Sequence, residues 1–195
     1  VSASIDVARR NAIKRAHSTT HLLDRVALEF GEKCYEVPVG FKHVSGKMAE
    51  TDAIIGGESS GGMAIRGHIQ GKDGIYAAAL LVEMLAVTGK TVGQLYEEIV
   101  EKYGRLYYDE VSCEVTSGRK QELYDQIFVK EQIPAFEEQI ARVSWIDGCK
   151  VYFKDGSWVI CRFSGTEPLI RIAAEGNTLD QTRQYIQKWE AFLKQ

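Results

Sequence analysis

The stretch Trp158-Val159-Ile160-Cys161-Arg162-Phe163-Ser164-Gly165-Thr166-Glu167-Pro168-Leu169-Ile170-Arg171-Ile172-Ala173-Ala174 reads as strand, turn, strand. Its two ends, Trp158–Phe163 and Leu169–Ala174, are apolar and rich in β-branched residues, while Ser, Gly, Thr, Glu and Pro between them have the composition of a turn. Upstream lie two further strand-like runs, Ala141–Ile146 and Lys150–Phe153. Asp147-Gly148 separates the first from the second, and Asp155-Gly156 separates the second from Trp158. An Asx-Gly pair between apolar runs is a strong hairpin signal, because both central residues of the tight turn need positive φ. Leu106–Val115 predicts one more strand, Arg119–Val129 an amphipathic helix and Leu179–Leu193 a closing helix. Hairpin strands with helices on either side make an α+β domain.

Before Leu106 the texture is different. Leu22, Leu23, Val26, Ala27 and Phe30 recur at helical spacing behind Thr20, a fitting N-cap, and Gly31 stops that helix. Cys34–Val37 predicts a strand closed by Pro38, then Lys42–Glu50 a short helix and Ala53–Ile55 a short strand. Asp73 is placed to cap a helix with Ile75, Ala78, Ala79, Val82 and Leu85 on its buried side, and Gly89 ends it. Thr91 opens a further helix on Leu95, Ile99 and Val100 that stops at Gly104. Strands alternating with helices indicate an α/β layer. The change of texture puts the boundary near Arg105, giving domains 1–105 and 106–195. Ala12–Ala16 reads as a short strand, and the residues before it show no clear pattern.

Composition narrows the function. The 195 residues are 45% hydrophobic and 26% charged, enough apolar material for a packed core. The formal net charge of −3 excludes the basic excess that a nucleic-acid binder carries, so any anion must be small and held by a few groups. No apolar run approaches the roughly 20 residues of a membrane helix, and no basic stretch precedes a short apolar one. Neither a membrane nor a nucleic-acid partner is expected, and the default location is cytoplasmic. Cys34, Cys113, Cys149 and Cys161 lack metal-ligand spacing and read as free thiols of a reducing compartment.

Three motifs bear chemistry. Gly56-Gly57-Glu58-Ser59-Ser60-Gly61-Gly62 surrounds polar residues with glycines that let the backbone approach a ligand. Glu58 can accept hydrogen bonds from two vicinal hydroxyls, and Ser60 can donate or accept, so the pair suits a sugar diol. No Lys-Ser/Thr follows at Walker spacing, and the loop is not a dinucleotide fingerprint. The same residues also fit an ordinary structural turn. In Arg162–Arg171, two guanidinium groups flank a Ser-Gly-Thr turn. Guanidinium forks bind phosphate in bidentate fashion, and the turn's hydroxyls and N–H groups can add donors. A plain hairpin with surface arginines, one paired to Glu167, is the competing reading. Lys42 follows the rigid Pro38-Val39-Gly40 turn, where its ammonium could meet a phosphate or simply be solvated.

Taken in order, Ser18-Thr19-Thr20 with Leu23-Asp24-Arg25-Val26-Ala27, Pro38-Val39-Gly40-Phe41-Lys42, Gly57-Glu58-Ser59-Ser60-Gly61, Lys72-Asp73-Gly74-Ile75 and Arg162-Phe163-Ser164-Gly165-Thr166-Glu167-Pro168 resemble the third and fourth domains of the α-D-phosphohexomutases. The resemblance runs from about Lys14 onward. It implies a three-layer α/β domain, truncated at its start, followed by a small α+β domain of TATA-binding-protein-like shape. It implies an isomerase acting by phosphoryl transfer, which interconverts hexose 1-phosphate and hexose 6-phosphate through a bisphosphorylated sugar.

By the same resemblance, Glu58, Ser60 and Lys42 contact the sugar. Arg162, Ser164, Gly165, Thr166 and Arg171 clamp the phosphate that is not reacting, and the two turns face one cleft. Glucose and mannose phosphates are favoured over aminosugar phosphates. The Thr-x-Ser-His-Asn-Pro loop that carries the family's phosphoserine and the Asp-x-Asp-x-Asp-Arg loop that binds Mg2+ do not occur in this sequence. The catalytic serine, the magnesium and a glucose 1,6-bisphosphate-type activator therefore belong with the enzyme's own N-terminal domains, and the chain alone is expected to be inactive and to hold no metal. Gly62 stands where one branch of the family has a histidine, so no role passes to it; His43 and His68 are read as structural. The alternative is a non-catalytic phosphosugar-binding module.

Overall fold

The computed structural model describes residues 23, 25–165 and 167–195, with the backbone alone at 117. Thr20, Leu22, the 12–16 strand expected at the start and Thr166 lie outside the described residues. The chain divides into two compact units, Val1–Arg105 and Leu106–Gln195. Strands and helices mix in both.

In unit 2, β3 (Tyr107–Glu114), β4 (Ile140–Ser144), β5 (Cys149–Phe153), β6 (Trp158–Phe163) and β7 (Leu169–Gly176) form one antiparallel sheet in the order β3-β7-β6-β5-β4. Strand alternation sends Cys149, Val151 and Phe153 of β5, Val159 and Cys161 of β6, and Ile170, Ile172 and Ala174 of β7 into one core. The helix Leu179–Leu193 covers that core with Tyr185, Ile186, Trp189, Phe192 and Leu193, spaced three and four apart. Thr178 caps it, accepting a hydrogen bond from the Gln181 N–H at 3.2 Å. Both Asx-Gly turns are present, with Gly148 at φ 110° and Gly156 at φ 86°. A Cβ on Gly148 would lie 2.7 Å from the Cys161 carbonyl oxygen, so only glycine fits where the β4–β5 turn packs against β6. The helix expected over 119–129 begins at Ser117 and is α-helical to Tyr124. Over Asp125–Val129 it widens to π, and the Lys130 N–H closes onto the Asp125 carbonyl five residues back.

Unit 1 contains α1 (Phe41–Thr51), β1 (Ile55–Gly57), β2 (Met63–Ile65), α2 (Gly74–Thr88) and α3 (Val92–Tyr103), with residues 25–29 also helical. The Asp73 carboxylate caps α2, accepting from the Ile75 and Tyr76 N–H groups at 3.0 Å each. Thr91 and Gln94 form a capping box on α3. Continuing the label order of the helices, Ser117–Tyr124 is α4 and Leu179–Leu193 is α5.

Three expectations for unit 1 need correction. Cys34–Val37 forms no strand; a strand exists only when a neighbour takes its hydrogen bonds, and no partner strand stands beside this segment among the described residues. The strand expected at Ala53–Ile55 is shifted to Ile55–Gly57 and pairs with β2, so the glycine-rich segment is the tip of an antiparallel hairpin. The buried side assigned to α2 is wrong: Ile75 is 86% and Val82 64% exposed. Its sequence, GIYAAALLVEMLAVT, is apolar on every side, so periodicity selects no face.

Candidate substrate-binding turns

The β6–β7 register sets Arg162 directly opposite Arg171. Directly paired residues of an antiparallel sheet share a face with Cβ atoms about 4.5–5.5 Å apart, and like charges there repel. The register thus sets two cationic side chains on the same face of the sheet. Each is partly neutralised: Arg162 Nη1 donates to Asp147 Oδ2 at 3.4 Å, and Arg171 Nη2 to Glu167 Oε2 at 2.9 Å. Both stay in contact with water, Arg162 at 28% and Arg171 at 47% side-chain exposure.

The connecting turn is fixed by its own backbone. The Ser164 N–H donates to the Leu169 carbonyl at 2.9 Å, and the Glu167 N–H donates to Ser164 Oγ at 3.1 Å. A hydroxyl that accepts in this way keeps its proton to donate elsewhere. Gly165 is exposed beside it. Arg162, Phe163, Ser164, Gly165 and Arg171 line a concavity of about 190 Å³. A larger groove of about 310 Å³ runs over α5, where Lys188 is already bonded to the Ala135 carbonyl and Glu137.

Glu58 opens the tip of the β1–β2 hairpin. Its N–H donates to the Gly62 carbonyl at 2.8 Å, and its carbonyl accepts from the Gly61 N–H at 2.9 Å. That tight turn leaves the carboxylate 20% exposed, with Oε2 accepting from Lys72 Nζ at 3.1 Å. Lys72 also lies over the Phe41 ring, 5.4 Å from its centroid. Ser60 is exposed at the tip and Lys42 is exposed in the first turn of α1. The hairpin rests on α1 so closely that a Cβ on Gly56 would come within 2.5 Å of Val44 and Met48.

The structure thus brings Arg162, Ser164, Gly165 and Arg171 together in unit 2, and carries Lys42, Glu58 and Ser60 in unit 1. Reasoning from the sequence missed three partners: Asp147, Lys72 and Lys120. Lys120 Nζ donates to the Ser164 carbonyl at 2.7 Å. Gly62 makes room for Lys72: a Cβ there would stand 2.3 Å from the lysine's Cδ. His68 bonds Asp73 Oδ2 at 2.9 Å and stacks on Tyr76, with ring centroids 4.1 Å apart. This bond, with the two N–H groups at the cap, holds the Asp73 carboxyl below its usual pKa. Among the described residues no group of three His, Cys, Asp or Glu side chains is placed to hold a metal ion. No single described helix is long and apolar enough to cross a membrane.

Comparison with known proteins defines the class. The family model for phosphoglucomutase/phosphomannomutase, alpha/beta/alpha domain III, matches residues 4–103, and that for the phosphoglucomutase/phosphomannomutase C-terminal domain matches 110–190. The chain belongs to the phosphoglucomutase/phosphomannomutase family. The match begins ten residues before Lys14, where the motifs first become legible.

A Thermococcus kodakarensis phosphoglucomutase/phosphomannomutase is 31% identical over 170 residues, covering 87% of this chain and 35% of that relative. A Komagataeibacter xylinus phosphoglucomutase is 34% identical, over 80% of this chain and 31% of its own length. A probable phosphoglucosamine mutase of Methanothermobacter thermautotrophicus is 33% identical, over 80% and 33%. The chain therefore spans about a third of the length of the curated relatives it matches. Among solved structures, a putative phosphomannomutase from Thermus thermophilus shares the fold, with a TM-score of 0.68 at 23% identity over 94% of this chain and 40% of that one.

Proposed function

We propose that this chain is the substrate-recognition part of a phosphohexomutase that interconverts hexose 1-phosphate and hexose 6-phosphate through a bisphosphorylated sugar. One observation carries the reading: Arg162 and Arg171 stand directly opposite one another and line one concavity with Ser164 and Gly165, a set of donors that suits a phosphate dianion. On this reading the non-reacting phosphate lies between the guanidinium forks, with the Ser164 hydroxyl, the Gly165 N–H and Thr166 adding donors. Glu58 and Ser60 grip sugar hydroxyls and Lys42 lies near the ring. The same contacts must hold the sugar in either orientation, because its two phosphates exchange places between half-reactions.

The chain's contribution is positioning and part of the electrostatics of phosphoryl transfer. A phosphorylated serine and a charge-offsetting Mg2+ belong to other domains of a full-length, cytoplasmic enzyme, along with a bisphosphorylated activator. The absence of both motifs from the sequence supports this division, as does the threefold greater length of the relatives. The leading substrates are glucose and mannose phosphates; the relatives' names also include glucosamine, so a test panel must contain it.

Calorimetry on the chain tests the reading. Glucose 6-phosphate should bind, glucose should not, and inorganic phosphate should bind more weakly than the sugar phosphate. Equal heats for glucose and its phosphate would overturn the phosphate assignment. Mutase turnover by the purified chain, supplied with Mg2+ and glucose 1,6-bisphosphate, would overturn the division of labour.

A further inference from the structure

The clamp turn is also held from behind. Lys120 stands in the first turn of α4, whose start is fixed by Thr116: its Oγ1 accepts from the Arg119 N–H at 3.4 Å and its carbonyl from the Lys120 N–H at 2.8 Å. The Lys120 ammonium donates to the Ser164 carbonyl at 2.7 Å and reaches the Glu167 carbonyl at 3.4 Å. Both carbonyls belong to the turn between Arg162 and Arg171. The Val115 N–H donates to the Pro168 carbonyl at 3.0 Å and ties the entry to α4 to the far end of that turn.

No described peptide bond is cis. In a trans peptide the carbonyl and the N–H of the next residue point in opposite directions. By drawing the Ser164 carbonyl toward α4, Lys120 turns the Gly165 N–H away from α4. Without that ammonium the peptide could flip, since Gly165 permits either orientation, and a carbonyl oxygen would then face the anion. We propose that Lys120 is a positioning residue for the substrate phosphate: it does not touch the ligand, but locks the Ser164–Gly165 peptide so that an N–H, not a carbonyl, lines the concavity between the two arginines. The inference rests on the clamp reading above.

The test uses the 15N-labelled chain titrated with glucose 6-phosphate, comparing Lys120→Met, Lys120→Arg and Arg162→Ala. Lys120→Met keeps the aliphatic stem and loses the donor. It should bind about tenfold more weakly, the worth of one charged hydrogen bond. The Gly165 amide signal, which should move on binding in the unaltered chain, should then no longer respond. Lys120→Arg should restore both, which a mere packing role would not require. If Lys120→Met fails to fold, Lys120→Gln takes its place with the same expectations. Unchanged affinity in Lys120→Met alongside weakened binding in Arg162→Ala would overturn this inference and leave the clamp standing. Weakened binding with an undiminished Gly165 response would overturn the orientation argument. If neither variant weakens binding, the clamp reading itself fails and the inference falls with it.

Discussion

The two units differ sharply in what they bury. Unit 2 places Leu123, Ile127, Val151, Val159, Ile172, Tyr185 and Trp189 out of contact with water. Unit 1 buries only Val44 and Ala64 among its described hydrophobic residues, and leaves Ile75, Val82 and Val87 of α2 largely in solvent. Helices form in both, because capping and propensity are local; Asp73 and Thr91 cap theirs as well as Thr178 does. Stability, in contrast, comes from apolar surface removed from water, at about 25 cal/mol per Å². Well-formed helices are therefore no measure of a unit's own stability, and unit 2 should be the more robust.

The largest effect that could break this comparison is on stability. Ile172→Ala should cost about 2–5 kcal/mol, the usual range for emptying a fully buried aliphatic site. Val82→Ala, at a position 64% exposed, should stay within about 0.5 kcal/mol. Trp145, Trp158 and Trp189 all lie in unit 2, so denaturant unfolding followed by tryptophan fluorescence isolates it. A shift of the far-UV circular dichroism transition, which also reads the helices of unit 1, as large in Val82→Ala as the tryptophan shift in Ile172→Ala would erase the contrast.

Next in size is binding, where the units are assigned different tasks. Arg162→Ala should weaken glucose 6-phosphate binding on the order of 10–100-fold, the loss of one bidentate charged contact. Glu58→Gln, which keeps the shape but loses the charge, should reduce discrimination among sugars while leaving inorganic phosphate binding nearly intact. Calorimetry with phosphate and a panel of hexose phosphates separates the two. Parallel losses in both variants, for phosphate and sugar phosphate alike, would dissolve the division between sugar reading and anion holding.

These contrasts also explain what the sequence could reveal. The Asx-Gly turns, the Leu179–Leu193 helix and the caps were legible because each is decided by a few neighbouring residues. The Cys34–Val37 strand failed because pairing is a tertiary event, and the face of α2 failed because an apolar helix has no face to read. In the clamp, Arg162 and Arg171 were legible as residue types; their direct opposition depends on the β6–β7 register. Lys72 and Lys120 act through contacts 14 and 44 residues away in sequence, to Glu58 and Ser164, which no local pattern encodes.

Acid offers a smaller test. In unit 2, burial pushes the Asp155 carboxyl upward, but hydrogen bonds from the Ser157 hydroxyl and N–H, Gln181 and Asn177 outweigh it, and its pKa is lowered. Its contribution is therefore fully present above the unfolded value of about 3.9 and is lost as pH falls through the lower folded value. Unfolding free energy measured by tryptophan fluorescence should fall on acidification below about pH 4, and less steeply in Asp155→Asn. Identical slopes would show that Asp155 is not part of the acid response.

The finest contrast between the units is in their thiols. Cys34 of unit 1 is exposed, whereas Cys149 and Cys161 face each other across β5 and β6 inside the core of unit 2. Burial pushes the Cys149 thiol up to about 12 and the Cys161 thiol well above its ordinary value. Only the thiolate attacks a disulfide reagent. A shift from an ordinary pKa of 9.0 to about 12 lowers the thiolate fraction at neutral pH roughly a thousandfold, before any loss of access is counted. Burial also raises the Cys113 thiol, which is only partly covered. An aromatic disulfide reagent at pH 7.5 should therefore react with one thiol quickly, with Cys113 slowly, and with the remaining pair only when the chain is unfolded. Cys34→Ser should abolish the fast phase. If Cys149 and Cys161 instead reacted together with Cys34 in the folded chain, the core of unit 2 would open readily, and its assignment as the robust half would be wrong.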